Sequence, residues 1–427
     1  MNDFALQDRG PGETGHLDVM NFLNEVSGQY PAALSFASGR PAEQFFRVEQ
    51  WLDSIQVFFG QYANRNKLDP STALNLLAQY GRTNGIINDL IAEQVSIDEH
   101  IACDGDQVIV TAGCQEAIAL TINALCKDER DVILVRSPTY IGITGAAALQ
   151  RVLLAPIICD NPDDLATALE LEVRKLRAAG KRPRAFYVVP DFDNPTGSVL
   201  NLQTRQQLVS YCTEQRIAIL EDNPYGMFRY VDDKLPSLAE LDRHGCTIYL
   251  GTYSKTLCPT LRVGFIVVPK QLFGSTREAQ QLIQRLSVIK SFITCNTSQF
   301  MQAVVGGVLL SESCSLAKIV EPAIAHYRNN LQVMLQRLNS TLGMFGDAIT
   351  WNRPSGGFFM TVSLPFKFRQ DEVVQCASHH RAIVMPLSFF ALTDHHDSHV
   401  RLAFSNLSPH QIEIGIDRFS DFIKSRL

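Results

Sequence analysis

No apolar stretch in the 427 residues approaches the roughly 18 that a membrane-crossing helix needs. The most tempting run, Ala303 to Leu310, is short and carries two glycines. No membrane partner is therefore expected. Basic residues are not in excess: 38 Lys and Arg stand against 44 Asp and Glu, a formal net charge of −6, so the chain shows no footprint for nucleic acid. The 10 cysteines lack C-x-x-C pairing, and Cys126 and Cys212 sit inside apolar runs, which points to reduced core thiols in a cytoplasmic protein. The histidines include adjacent pairs, His379-His380 and His395-His396, but no zinc-type Cys/His spacing, so no metal is expected. Low-complexity tracts, long like-charge runs and fixed-period repeats are absent too. Met1 to Gly15 is polar with Asp and Glu, so no secretory leader is expected.

The content that remains is that of a globular enzyme, with 46% hydrophobic and 19% charged residues and a length suited to two or three domains. Its middle alternates short apolar runs with helical periodicity. Gln107–Thr111, Asp131–Val135, Ala185–Val189, Ile217–Leu220, Thr247–Leu250 and Val263–Val268 read as strands, and Glu116–Cys126 and Leu202–Gln215 as helices. Such alternation predicts an α/β fold with a mainly parallel sheet covered by helices on both faces. Ligands in such folds sit beyond the carboxyl ends of the strands.

The C-terminal part reads differently. A long helical stretch from about Glu278 to Leu310 leads into helix over Leu316–Leu342, then Gly356-Gly357-Phe358-Phe359-Met360, a helix near Gln370–His379 and a strand at Val400–Phe404, which suggests a smaller α+β domain. The first sixty residues show an amphipathic helix at Val19–Val26 and an extended L-S-F-A-S-G-R-P segment. The expected division is 1–60 as a segment packing on the small domain and over the active site, 61–310 as the large domain and 311–427 as the small one.

Chemistry-bearing residues follow the predicted strands. Gly113-Cys114-Gln115 lie between a strand and a helix, where free backbone N–H groups and the helix dipole suit a phosphate. Taken alone, a glycine after a strand is more often a turn. Asp193-Asn194-Pro195-Thr196-Gly197 follows another strand and is also a good turn signal. Asp222, in Glu221-Asp222-Asn223-Pro224-Tyr225-Gly226, sits where a strand ends, and a buried carboxylate there needs a cationic partner. Lys255 follows Thr252-Tyr253-Ser254 and precedes Arg262 by seven positions, an unusual setting for a surface lysine.

The ordered series G-C-Q, N-P-T-G, E-D-N-P-Y-G and S-K-x-x-x-P-x-x-R-x-G resembles the class I/II aminotransferases, fold-type I enzymes that use pyridoxal 5′-phosphate (PLP). The resemblance runs from Gly39 to Arg401. It implies that Lys255 bonds PLP as a Schiff base and shuttles the proton. Asp222 then pairs with the pyridinium nitrogen, keeping the ring an electron sink. Asn194 and Tyr225 bond the ring's 3′ oxygen, and Tyr140 stacks on the ring. The phosphate falls to Gly113, Cys114, Gln115, Thr252, Ser254 and Arg262. Arg401 grips the substrate α-carboxylate, with Gly39 adding a backbone contact. Tyr80, in Q-Y-G, reaches the phosphate of a neighbouring subunit, which makes the unit a homodimer. The chain departs from many relatives at Cys114, where they have serine, and at Asp193, where they have glutamine.

Within the family, L-D-V-M-N-F-L-N-E-V followed by L-S-F-A-S-G-R-P resembles the 2-aminoadipate and kynurenine branch, and still more the aminotransferases that make aryl-glycines such as 3,5-dihydroxyphenylglycine. In that branch the N-terminal segment folds over the active site, so Phe36, Arg40, Phe45 and Phe46 become candidate pocket residues, or, for the phenylalanines, ordinary core. The expected substrates are an aromatic, arylglycine-type or long-chain amino acid and a 2-oxo acid, with glutamate and 2-oxoglutarate as the common pair. Decarboxylation, elimination or oxidation on the same fold is the alternative. A PLP-responsive regulator would need a winged-helix domain ahead of a core that begins near residue 30. A catalytically silent binding protein would not be expected to keep Lys255, Asp222 and Arg401 together.

Overall fold

A computed structural model describes residues 19, 22, 25–231, 234–393 and 396–427. Its centre is a seven-stranded sheet. The strands are β2 (Val108–Thr111), β3 (Asp131–Ser137), β4 (Leu153–Ile158), β5 (Arg182–Val188), β6 (Ala218–Asp222), β7 (Thr247–Thr252) and β8 (Gly264–Val267), with β1 (Leu34–Ser35) preceding them in the chain. The spatial order is β2-β8-β7-β6-β5-β3-β4, and β8 alone runs antiparallel to its neighbours. Period-2 alternation splits each strand between two cores. On β3, Ile133 and Val135 enter one cluster while Val132 and Leu134 enter another; on β5, Ala185 and Tyr187 part from Phe186 and Val188 in the same way. Both faces are thus buried, which is why these strands read as continuous apolar runs.

Helices cover the two faces. Cys114–Leu125 and Thr276–Ile293 lie on one, and Leu165–Ala178 and Leu202–Gln215 on the other. Local chemistry sets their ends. The Asn201 side chain accepts from Thr204 N at 2.7 Å, and Ser408 and Gln411 form a reciprocal capping box. Arg216 closes Leu202–Gln215 in the left-handed conformation, with its N–H on Cys212 and Thr213 carbonyls.

Some features differ from the sequence-based expectations. The helix expected from Glu278 to Leu310 is two helices, Thr276–Ile293 and Gln299–Ser311. The short polar run Thr294–Ser298 competes for backbone hydrogen bonds, and the Ser298 side chain accepts from Met301 N. Strand β4 escaped the periodicity because it is a half-exposed edge strand holding Pro156. A helix over Val48–Asn66, not anticipated, packs on Gln299–Ser311, and the boundary expected at residue 60 falls inside it. The helix expected at Val19–Val26 lies partly outside the described residues, of which Val19, Phe22 and 25–29 are helical.

The N-terminal segment joins the C-terminal part directly. β1 pairs in parallel with β11 (Ala382–Ile383), and Ala403 N donates to Phe36 O at 2.8 Å. A four-stranded sheet completes that part, in the order β12 (Met385–Pro386), β13 (His399–Ala403), β10 (Phe359–Ser363), β9 (Thr350–Trp351). No helix among the described residues is long and apolar enough to cross a membrane, and no group of His, Cys, Asp and Glu among them suits a metal ion.

Candidate active site

The carboxyl ends of β2, β5, β6 and β7, together with the turn into β8, converge on one cavity of about 780 Å³. Its wall carries Lys255, Asp222, Asn194, Tyr225, Arg262 and Arg401. Cys114, Gln115, Tyr140, Thr252, Ser254, Gly39 and Arg40 line it as well. Gly113 lies immediately behind the wall: a Cβ there would sit 2.3 Å from Arg262 Nη2, and its φ of +80° is one that side chains rarely adopt. Tyr80 does not line this cavity; it is 82% exposed on the surface.

The turn after β7 lifts Lys255 into the cavity. Thr252 Oγ1 accepts from Ser254 N at 3.2 Å and donates to Ser254 Oγ at 2.9 Å. Lys255 Nζ donates to Gly39 O at 3.1 Å. Burial, then the nearby guanidinium of Arg401, brings the ammonium down to about 8; Asp222 opposes, and Arg262 and Arg40 add to the fall. Asp222 is buried, and burial pushes its carboxyl up to about 6 against the hydrogen bonds it accepts.

Arg401 stands out electrostatically. It is buried, stacked between the rings of Phe359 and Phe390 at 4.4 and 4.6 Å, and donates to Asn194 Oδ1 at 2.7 Å and to Ala37 O. Its Nε is buried without a hydrogen-bond partner, and no carboxylate pairs with it among the described residues. Burial lowers it only to about 10, so it remains a cation at neutral pH. A buried, unpaired cation at a cavity wall is costly unless an anion arrives.

These residues fit PLP. Lys255, Arg262, Arg401 and Arg40 face a cavity whose wall, among the described residues, holds one carboxylate, Asp222, so the site favours an anionic guest. The helix Cys114–Leu125 presents its first N–H groups beside the hydroxyls of Thr252 and Ser254 and the guanidinium of Arg262, a donor set suited to a phosphate. Asp222 adds a buried carboxylate to the same wall, suited to the proton of a ring nitrogen.

Other expectations changed. Phe36 is fully buried against Gly415, Phe45 packs on His326 and Tyr327, and Phe46 packs on Trp51, so none of the three lines the cavity. Phe36 is a core residue and Phe45 and Phe46 are half-buried against the core, while the rings at the cavity are Phe359, Phe390, Tyr140 and Tyr225. Asp193 points away from it: its Oδ2 accepts from Thr196 Oγ1 at 2.8 Å in a half-buried network that reaches Arg136 through Ser198. Cys114 Sγ lies 3.2 Å from Asp222 Oδ1, so the thiol serves the carboxylate. Gly39 turns its carbonyl to Lys255. Tyr187 was missed altogether. Its hydroxyl donates to Asp222 Oδ2 at 2.6 Å, and the signal available was a tyrosine in a buried strand, whose O–H must find a partner.

A buried amine and a buried carboxylate at the carboxyl edge of a mainly parallel sheet, faced by an unpaired guanidinium from the four-stranded sheet, fit a fold-type I, PLP-dependent enzyme. The aminotransferase class I and II profile matches residues 65–419, and the chain belongs to that family. The (S)-3,5-dihydroxyphenylglycine transaminase of Amycolatopsis orientalis is 38% identical over 100% of this chain and 98% of that relative. The α-aminoadipate aminotransferase of Thermus thermophilus, solved with N-(5′-phosphopyridoxyl)-L-leucine, is 26% identical with a TM-score of 0.77, covering 95% of this chain and 94% of that one. The kynurenine aminotransferase of Pyrococcus horikoshii shares the fold, with a TM-score of 0.83 at 24% identity over 100% of this chain and 97% of that one. The protein is an aminotransferase, and PLP is its cofactor.

Proposed function

We propose that the enzyme moves an amino group between an aromatic, arylglycine-type or long-chain amino acid and a 2-oxo acid, with glutamate and 2-oxoglutarate as the common pair. The observation that carries this is the unpaired, buried Arg401 facing the same cavity as Lys255 and Asp222. An amino acid and a 2-oxo acid both bring a carboxylate to that guanidinium, which leaves the reacting carbon near Lys255.

When bound, PLP supplies an electron sink for the carbanion at the substrate Cα. Asp222 is assigned to hold the ring nitrogen's proton, Asn194 and Tyr225 to bond the ring oxygen, and Tyr140 to cover the ring. Gly113, Cys114 and Gln115, through backbone N–H groups, with Thr252, Ser254 and Arg262, are assigned to the phosphate. Lys255 Nζ is the amine that would hold the cofactor and would move a proton at the substrate Cα. Burial keeps part of its amine neutral near pH 8, as a base requires. A cytoplasmic homodimer, with Tyr80 serving the neighbouring phosphate, completes the proposal.

Side-chain discrimination falls to the rest of the wall. Phe390, Ile141, Met385 and Leu407 offer an apolar surface, and burying a ring on it is worth about 1.5–3 kcal/mol. The exposed guanidinium of Arg40 lies on the same wall and suits the distal carboxylate of glutamate or 2-aminoadipate. Single half-reactions test this: the holoenzyme is mixed with each amino acid while conversion to pyridoxamine phosphate is followed by absorbance. Arg40→Ala should lose roughly tenfold or more with acidic donors and keep most turnover with aromatic or arylglycine donors. Equal losses would remove Arg40 from substrate binding. Carbon dioxide or peroxide without amine transfer would overturn the reaction itself.

A further inference from the structure

We propose that Tyr187 and Cys114 are positioning residues that clamp Asp222 as an oriented, ionised carboxylate, a role that rests on Asp222 being the partner of the cofactor ring nitrogen. Each carboxylate oxygen has its own donor. Tyr187 Oη approaches Oδ2 at 2.6 Å and Cys114 Sγ approaches Oδ1 at 3.2 Å. The donors come from different elements, β5 and the helix Cys114–Leu125, and the carboxylate from the end of β6. Register explains the reach. Tyr187 pairs with Leu220, so Asp222 is two residues further along the same face of the neighbouring strand.

A buried carboxylate stays charged only if donors replace its water. The cations around it direct their hydrogen bonds elsewhere: Lys255 to Gly39 O, Arg262 to Ala112 O, Arg401 to Asn194 and Ala37. That leaves the phenol and the thiol. Both keep their protons at working pH, because burial pushes each well above its ordinary value, so both can only donate to an ionised Asp222. Burial and Asp193 raise the Asp222 carboxyl, while Tyr187, Cys114 and Lys255 lower it; Tyr140 and Tyr225 also feel its charge, and Arg262 faces the Cys114 thiol. Removing either donor must therefore move the carboxyl further up.

The test compares Tyr187→Phe, Cys114→Ala, Cys114→Ser and Asp222→Ala holoenzymes. Two quantities are measured in each: the rate of cofactor release by gel filtration, and the pH profile of kcat/KM. Tyr187→Phe preserves the ring's shape and should release PLP about tenfold faster, with the acid limb of the profile about one pH unit higher. Cys114→Ala should shift both in the same direction by less, and Cys114→Ser, which restores a donor, should return both to wild type. Collapse of Asp222→Ala while the other variants keep wild-type release and pH profile would overturn the clamp and leave Asp222 in its role. A fall in kcat for Tyr187→Phe with an unmoved acid limb would reduce Tyr187 to packing. Normal release and turnover in Asp222→Ala would overturn the assignment of Asp222 itself, and the clamp with it.

Discussion

Lys255 is the residue whose surroundings most directly set its chemistry. Burial and the guanidinium groups of Arg401, Arg262 and Arg40 favour the neutral amine, and Asp222 opposes them, with the balance near 8. Only the neutral amine has the lone pair that attacks an aldehyde carbon. Covalent capture of PLP by cofactor-free protein should therefore quicken as pH rises towards 8 and level off above it. A free lysine, near 10.4, would keep quickening to beyond pH 10. Stopped-flow absorbance reads the rate, and a plateau only above pH 10 would mean that these cations do not act on Lys255. The motif positions Asn194, Asp222, Tyr225, Lys255, Arg262 and Arg401 were all legible before the fold was known, and all line one cavity. They could be read because the ordered motifs that hold them resemble those of the class I/II aminotransferases. Tyr187 and Phe390 could not, since a ring in an apolar run looks the same in sequence whether it meets the core or a carboxylate.

The elements themselves follow the apolar periodicity where burial is two-sided and depart from it where it is not. Leu202–Gln215 was legible from its helical periodicity, and the structure ends it at the same residues, with Asn201 as cap and Arg216 left-handed. The helix Val48–Asn66 was not, although Trp51 and Phe58 anchor it, because Val48, Leu52 and Val57 face solvent and blur the stripe. Its packing on Gln299–Ser311 is close. A Cβ on Gly307 would lie 1.9 Å from Ser54 O, and Ser54 Oγ donates to Val304 O at 3.1 Å across the same contact. Backbone cannot recede there without parting both helices. Gly307→Ala should thus destabilise by about 1–3 kcal/mol through overpacking. Gly60 sits in the same pair of helices with nothing within 4 Å of its Cβ position, and Gly60→Ala should stabilise by roughly 0.5–1 kcal/mol through helix propensity. Urea denaturation of both variants checks the opposite signs, and a shared sign would mean the helices do not meet this closely.

At the scale of the whole molecule, the chain leaves apolar surface that its own fold does not cover. Phe292 is 87% exposed and Tyr80 82% exposed, and Ile293, Val57 and Leu52 are exposed as well. Isolated exposed apolar residues are ordinary, but large rings this open suit an interface. The proposed two-fold dimer would cover such residues if it carries each Tyr80 to the other copy's cavity. Subunit mixing separates the two ways of building the site. Lys255→Ala subunits lack the amine but keep Tyr80, and Tyr80→Phe subunits keep the amine but lack the hydroxyl. If Tyr80 serves its neighbour, a hybrid dimer has one site with both groups. Equal random mixing makes half of the dimers hybrids, so activity should reach about a quarter of wild type, above the residual level of either parent. If Tyr80 acts within its own chain, every hybrid site lacks one group and mixing restores nothing. Light scattering fixes the mass in the same samples, and a fully active monomer would exclude the shared site.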